Sequence, residues 1–177
     1  RRVAPLSEEE KERQFWKTAR FDPPFYGADM GGTLTKAHEK HWNIARLDSL
    51  LARCLPDQLQ GVTTAYLYFG MWKAMFAWHT EDMDLFSINM LHMGEPKKWY
   101  AIPEHERSRF EQLASFHFPD LRSHCPEFLR HKTTLLSPSI LHQNNISFFT
   151  TVQHARDIII TFPGAYHCGF NMGFNCA

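Results

Sequence analysis

A mainly β domain with peripheral helices, closed as a sandwich or a jelly-roll barrel, is expected of this chain on three grounds. Short runs rich in β-branched and aromatic residues, TTAYLYF (63–69), LFSINMLHM (85–93), KKWYAI (97–102) and DIIITF (157–162), are bounded by turn residues and read as strands. Helical patterns are scattered among them instead of alternating with them, which disfavours a doubly wound βαβ plan. The 177 residues contain no repeat and no low-complexity linker, so they fit one domain able to bury roughly 70% of its unfolded surface.

The elements follow in order. Ser7 with Glu10 three residues on makes a capping box, and Glu8, Glu9 and Glu10 suit the positive end of a helix dipole, so about three turns of helix start here. FDPPFYGADMGG (21–32) reads as an extended segment and turn, because paired prolines forbid helix and glycines permit unusual dihedrals. Ile44, Leu47, Leu51 and Cys54 recur at helical spacing and predict an amphipathic helix over 41–55. After the first strands, further helices are expected near 104–117, 126–131 and 138–144.

Composition excludes several function classes. Nineteen basic residues balance nineteen acidic ones, so no global field draws the chain to polyanions, and direct sequence-specific DNA binding is not expected. No apolar run approaches the ~20 residues of a membrane-spanning helix. Four irregularly spaced cysteines (54, 125, 168 and 176) without a CxxC pair suit a reducing, intracellular setting and no disulfide framework.

Chemistry gathers in FAWHTEDMDL (76–85). In extended chain His79 and Glu81 share a face, so an imidazole and a carboxylate can take adjacent positions on one metal ion. The best third donor is His167, in TFPGAYHCGF just after the apolar run 157–162. Two histidines and a carboxylate on one side of an ion leave positions open, the facial arrangement of non-haem Fe(II) oxygenases. The competing view is an ordinary polar turn at a strand end. The same two-residue period pairs Tyr66 with Tyr68, Ser87 with Asn89, and Lys97 with Trp99. A lysine facing a barrel interior is costly unless an anion meets it. The alternative is an exposed strand start that leaves Lys97 in water.

These residues belong to blocks that resemble a known family. YLYFGMWKAMFAWHTEDMDLFSINMLHMGEPKKWYAIP (66–103), FYGAD (25–29), NIARL (43–47), FLRHKTTLLSPS (128–139) and GFNMGFNCA (169–177) closely resemble, in the same order, the Jumonji C domain of histone lysine demethylases that act on trimethyl-lysine. The resemblance implies a double-stranded β-helix, cupin-like, at 35–177, braced by a partial N-terminal helix and extended segment at 1–34 and truncated at its C-terminal end, with an open sheet edge. It implies Fe(II) held by His79, Glu81 and His167, with 2-oxoglutarate as cosubstrate. Tyr26 and Lys97 would hold the far carboxylate, Asn89 and Lys132 would add polar contacts, and Trp99 and Phe76 would wall the pocket. Gly61, Tyr66, Tyr68 and Glu81 would surround the methylammonium. Cys125 and His131 match half of a structural Zn(II) site. The chain departs from the family at Met172, where a histidine is usual.

The implied activity is removal of methyl groups from tri- and dimethylated lysine nine and lysine thirty-six of histone H3 by N-methyl hydroxylation and formaldehyde release. The partners would be the H3 tail and chromatin, and the location nuclear. A catalytically silent chromatin reader or scaffold, a protein hydroxylase on the same fold, and a zinc hydrolase are the competing readings. His38 and His41, three apart at helical ligand spacing with no further donor in sight, are expected at a solvated helix start.

Overall fold

The computed structural model describes residues 6–177, so the first five residues of the expected bracing segment lie outside it. Helix α1 (Glu8–Thr18) begins at the capping box read from the sequence: the Ser7 hydroxyl accepts from the Glu10 amide, and the Glu10 carboxylate accepts from the Ser7 amide. Strand β1 (Gly27–Gly31) follows the proline pair. The helix expected over 41–55 is instead broken into a 3-10 turn (Ile44–Arg46) and a short α2 (Leu50–Cys54). The cause is local capping. Asn43 accepts from the Ala45 amide and starts the first piece, and Ser49 in extended conformation accepts from the Ala52 amide and starts the second. No residue of either piece is buried, and His38 and His41 sit in exposed turns outside any helix.

The remaining strands are β2 (Tyr66–Gly70), β3 (Met75–His79), β4 (Ser87–Met90), β5 (Met93–Gly94), β6 (Lys97–Ile102), β7 (Phe149–Gln153), β8 (Ile158–Thr161), β9 (Tyr166–Asn171) and β10 (Asn175–Cys176). Between β6 and β7 lie α3 (Arg107–His117), α4 (Pro119–His124) and α5 (Pro138–Gln143), with a 3-10 turn at Phe128–His131. The strands pair antiparallel in three sheets, ordered β1-β2-β10-β5, β3-β9-β6-β7 and β4-β8. This is the cupin-like jelly roll expected of the sequence, with distant strands brought side by side.

The period of two in β6 and β9 divides inside from outside. Tyr100 and Ile102 of β6 and Tyr166, Cys168 and Phe170 of β9 join Phe15 of α1, Trp78 of β3, Phe110 of α3 and Leu141 of α5 in one buried core. Phe15 stacks on Phe170 with ring centroids 3.9 Å apart. Polar atoms in this layer are matched: Trp78 donates to the Leu136 carbonyl, and Trp16 donates to the Tyr100 hydroxyl, which donates to Glu12. Glu12 also pairs with Lys98 at 2.9 Å, so helix α1 is tied to the outer face of β6 by charge as well as by aromatic packing. Met172, the departure from the usual histidine, is 2% exposed and belongs to this apolar core. The intervening residues Lys97, Trp99 and Ala101 of β6 and His167, Gly169 and Asn171 of β9 face the other way.

Candidate metal centre and cosubstrate pocket

Two adjacent strands carry the histidines. His79 ends β3 and His167 lies near the start of β9, and the two are direct partners in the antiparallel register, with ring centroids 4.3 Å apart. A register irregularity between Phe76 and His79 decides which way β3 points. In a regular strand Phe76 and Trp78 would share a face; with the irregularity Trp78 enters the outer core while Phe76 and His79 both stand beside His167.

Glu81 follows in extended backbone (φ −67°, ψ 155°), which keeps it on the side of His79 as the two-residue spacing predicts. Its Oε1 lies 3.2 Å from Nε2 of His167 and 3.9 Å from Nε2 of His79. One donor atom from each of the three lies within 4.8 Å of the others. Asp84 anchors the turn after Glu81. Met83 and Asp84 adopt left-handed backbone, and Asp84 accepts a 2.9 Å bond from Arg107 of α3, which also grips Glu111. The Arg107 guanidinium holds the Asp84 carboxyl below its usual range.

Both imidazoles are oriented by backbone. Nδ1 of His79 lies 2.8 Å from the Ala77 carbonyl and Nδ1 of His167 lies 3.1 Å from the Ala165 carbonyl. Carbonyls only accept, so each Nδ1 carries a proton and each ring turns its Nε2 toward Glu81. Burial, then the neighbouring His167, push His79 down to about 4. Hydrogen bonding from the His167 side outweighs burial and takes Glu81 down to about 2. The Nε2 atoms of two imidazoles and an ionised carboxylate therefore converge. A divalent cation at their focus would take all three as donors in place of the His167–Glu81 hydrogen bond, and the donor set suits one of intermediate softness.

Deeper in the barrel stands Lys97, 2% exposed, not at an exposed strand start. Its Nζ donates to Asn171 Oδ1 at 2.7 Å and lies 3.5 Å from the Tyr26 hydroxyl, over the rings of Tyr26 and Phe76. Burial lowers its pKa to about 8 and raises that of Tyr26 to about 12. Phe76 and Trp99 pack with centroids 4.8 Å apart, and Trp99 donates to Gln153. Asn89 presents a buried Oδ1 with no partner among the described residues, an acceptor left for something else. Beside His167 the barrel opens into a space of about 470 Å³ lined by Trp99, Ala101, Ile159 and Thr161.

A family model described as "JmjC domain, hydroxylase" matches residues 66–177, which holds the whole of this constellation except Tyr26. The chain belongs to the JmjC family. Among curated relatives, the chain is 49% identical over 175 residues (97% of its length) to lysine-specific demethylase 4D of Rattus norvegicus. It is 53% identical over 169 residues (94%) to lysine-specific demethylase 4B of Mus musculus, and 50% identical over 171 residues (94%) to probable lysine-specific demethylase 4F of Homo sapiens. The chain spans 34%, 16% and 26% of the lengths of those three proteins, respectively.

In this JmjC domain the remaining candidates divide. Tyr68 and Tyr66 of β2 lie half-buried, and Tyr68 donates to Asp29 at 2.8 Å and feels the charge of Glu81. Gly61, in left-handed backbone (φ 74°), lies so close to Tyr66 that an added Cβ would meet its ring at 2.4 Å, so these two are brought together. Lys132 is exposed on a left-handed turn, with its charge felt by His79. Cys125 and His131 are not joined by a third donor: among the described residues the only such cluster is His79, Glu81 and His167. Sequence reasoning missed Asn171, Gln153, Asp29 and Gly169. Counting in twos from His167 would have found Gly169 and Asn171.

Gly169 tests the packing of this wall. A Cβ there would stand 2.3 Å from the Lys98 carbonyl oxygen and 2.6 Å from Phe76 Cζ, and neither backbone nor ring can retreat freely. Gly169→Ala is expected to lower stability by about 1–3 kcal/mol, as overpacking does. Chemical denaturation checks it; an unchanged midpoint would contradict the packing described.

Proposed function

We propose that this JmjC domain is an Fe(II)- and 2-oxoglutarate-dependent oxygenase that removes methyl groups from tri- and dimethylated lysine of histone H3, at lysine nine and lysine thirty-six. The observation that carries the proposal is the convergence of His79, Glu81 and His167 in a barrel that also buries the Lys97 ammonium. Names of relatives, all lysine-specific demethylases, agree with it. His79, Glu81 and His167 would hold Fe(II), which together with 2-oxoglutarate and dioxygen supplies hydroxylation of a carbon–hydrogen bond. A carbinolamine formed on an N-methyl group then releases formaldehyde. Because the attack is on carbon, the nitrogen needs no lone pair and trimethyl-lysine qualifies.

The chain's own residues do the rest. Lys97 and Tyr26 would bind the distal carboxylate of 2-oxoglutarate, where a charge-assisted bond in a water-poor site is strong. Asn89 and Lys132 would contribute further polar contacts, and Phe76 and Trp99 exclude water. Gly61, Tyr66, Tyr68 and Glu81 would surround the methylammonium, with oxygen atoms accepting weak C–H···O contacts from its polarised methyls. Asp29, bound to Tyr68, adds negative charge at that rim. Cys125 and His131 would supply half of a structural Zn(II) site. The H3 tail within chromatin is the partner proposed, in the nucleus; no helix of the described residues is long and apolar enough to cross a membrane.

The test is mass spectrometry of a panel of methylated H3 peptides incubated with protein, ferrous salt, ascorbate and 2-oxoglutarate. Loss of methyl groups with matching formaldehyde and succinate is expected, and His79→Ala should abolish it. A product that gains one oxygen and keeps its methyls would make the domain a protein hydroxylase. Tight peptide binding with no succinate, with or without iron, would make it a reader or scaffold.

A further inference from the structure

Asn171 occupies the last position of β9, opposite Lys97 of β6 in the register, and is 1% exposed. Lys97 can only donate, so the carboxamide must turn its oxygen to the ammonium, and the Oδ1 to Nζ distance is 2.7 Å. The same oxygen accepts from Nδ2 of Asn175 at 3.1 Å, and that nitrogen also donates to the Glu95 carbonyl at 2.9 Å. Asn171 Nδ2 has no partner among the described residues. The carboxamide oxygen is clamped between two donors, Lys97 Nζ and Asn175 Nδ2.

Three further features build the clamp. The backbone of Asn171 is tied on both sides, its amide to the Ala74 carbonyl and its carbonyl to the Lys73 amide. Asn175 lies on β10 between Gly70 of β2 and Gly94 of β5, 0% exposed. Gly70 leaves the room: a Cβ there would stand 2.0 Å from Asn171 Nδ2 and 2.5 Å from Asn175 Oδ1. The clamp joins the sheet that carries the histidines to the sheet that carries Tyr66 and Tyr68.

We infer that Asn171, backed by Asn175 and the space at Gly70, is a positioning residue that fixes the Lys97 ammonium for the distal carboxylate of a keto diacid. A lysine stem has four rotatable carbons, and one buried acceptor removes most of that freedom before the ligand arrives. The acceptor is neutral, which matters: it holds the ammonium without cancelling its charge, as an aspartate would. This inference rests on the cosubstrate reading above.

The experiment measures, by calorimetry under anaerobic conditions on the iron-loaded protein, the affinity for two probes. N-oxalylglycine carries a chelating end and a distal carboxylate; oxalate carries only the chelating end. Asn171→Ala is expected to weaken N-oxalylglycine about 10- to 100-fold, the scale of one hydrogen bond to a charged group, and to leave oxalate within about twofold. Asn171→Asp keeps the shape and should weaken N-oxalylglycine at least as much, because its carboxylate competes for Lys97. Equal loss for both probes, or loss for neither, overturns the positioning role. If the unsubstituted protein binds N-oxalylglycine no better than oxalate, the cosubstrate reading itself fails. Should neither variant fold, a structure of the unsubstituted complex decides: Nζ must be shared between Asn171 Oδ1 and the distal carboxylate, and an ammonium swung away from Asn171 overturns the inference.

Discussion

Replacing His167 with alanine is expected to abolish 2-oxoglutarate turnover and to weaken Fe(II) binding by more than the roughly 10- to 100-fold that loss of an outer-shell partner costs. His167 sits closest to Glu81, 3.2 Å from its Oε1, and is 2% exposed, so alanine leaves a void and removes one of the three clustered donors. Glu81 should also lose the contact that holds its carboxyl down to about 2, and its pKa should rise toward the ordinary range. Metal content after dialysis and succinate release check this prediction together. An alanine variant that keeps stoichiometric iron would contradict it.

Lys97→Met is expected to move stability and ligand binding in opposite directions. Burial lowers the Lys97 pKa from 10.5 to about 8. Below pH 8 both folded and unfolded chains carry the proton, and the folded state bears the full cost of a buried charge. Between pH 8 and 10.5 only the unfolded chain holds it, so this group makes the ligand-free protein more stable as pH rises through that window. Methionine removes the charge, and the ligand-free variant should gain about 1–3 kcal/mol at neutral pH, less than the full linkage value because the Asn171 bond is lost as well. That gain should vanish near pH 10.5. N-oxalylglycine should raise the Tm of the unsubstituted iron-loaded protein well above what it does for the variant, which keeps only the chelating contact. Thermal melts at pH 7 and pH 10 with and without the probe check it; a variant less stable at pH 7 would contradict the account of Lys97 as a charge awaiting an anion.

Residues whose role depends on period were legible in the sequence. Ser7 and Glu10 cap α1 as read, the runs at 66, 97 and 158 are strands, and Lys97 shares an inward face with Trp99 because β6 is regular. What resisted reading depends on departures from period or on distant partners. The strand YHCGFN (β9) is entirely buried, with apolar and polar residues alternating across a sheet covered on both faces, so no solvent-facing pattern marks it. The irregularity in β3 that turns Trp78 out and His79 in has no signature in FAWHT. The predicted helix at 41–55 failed because Asn43 and Ser49 offered caps that competed with its continuation. Asn171 lies in GFNMGFNCA; its meaning depends on Lys97, 74 positions away in sequence and 2.7 Å away in the barrel.

The most direct test of the metal centre is anomalous diffraction at the iron edge from crystals grown anaerobically with Fe(II). One peak is expected, about 2 Å from Nε2 of His79, Nε2 of His167 and a carboxylate oxygen of Glu81, the usual reach of such donors to a divalent first-row ion. Iron bound elsewhere, or bound with any of the three side chains turned away, would contradict the account.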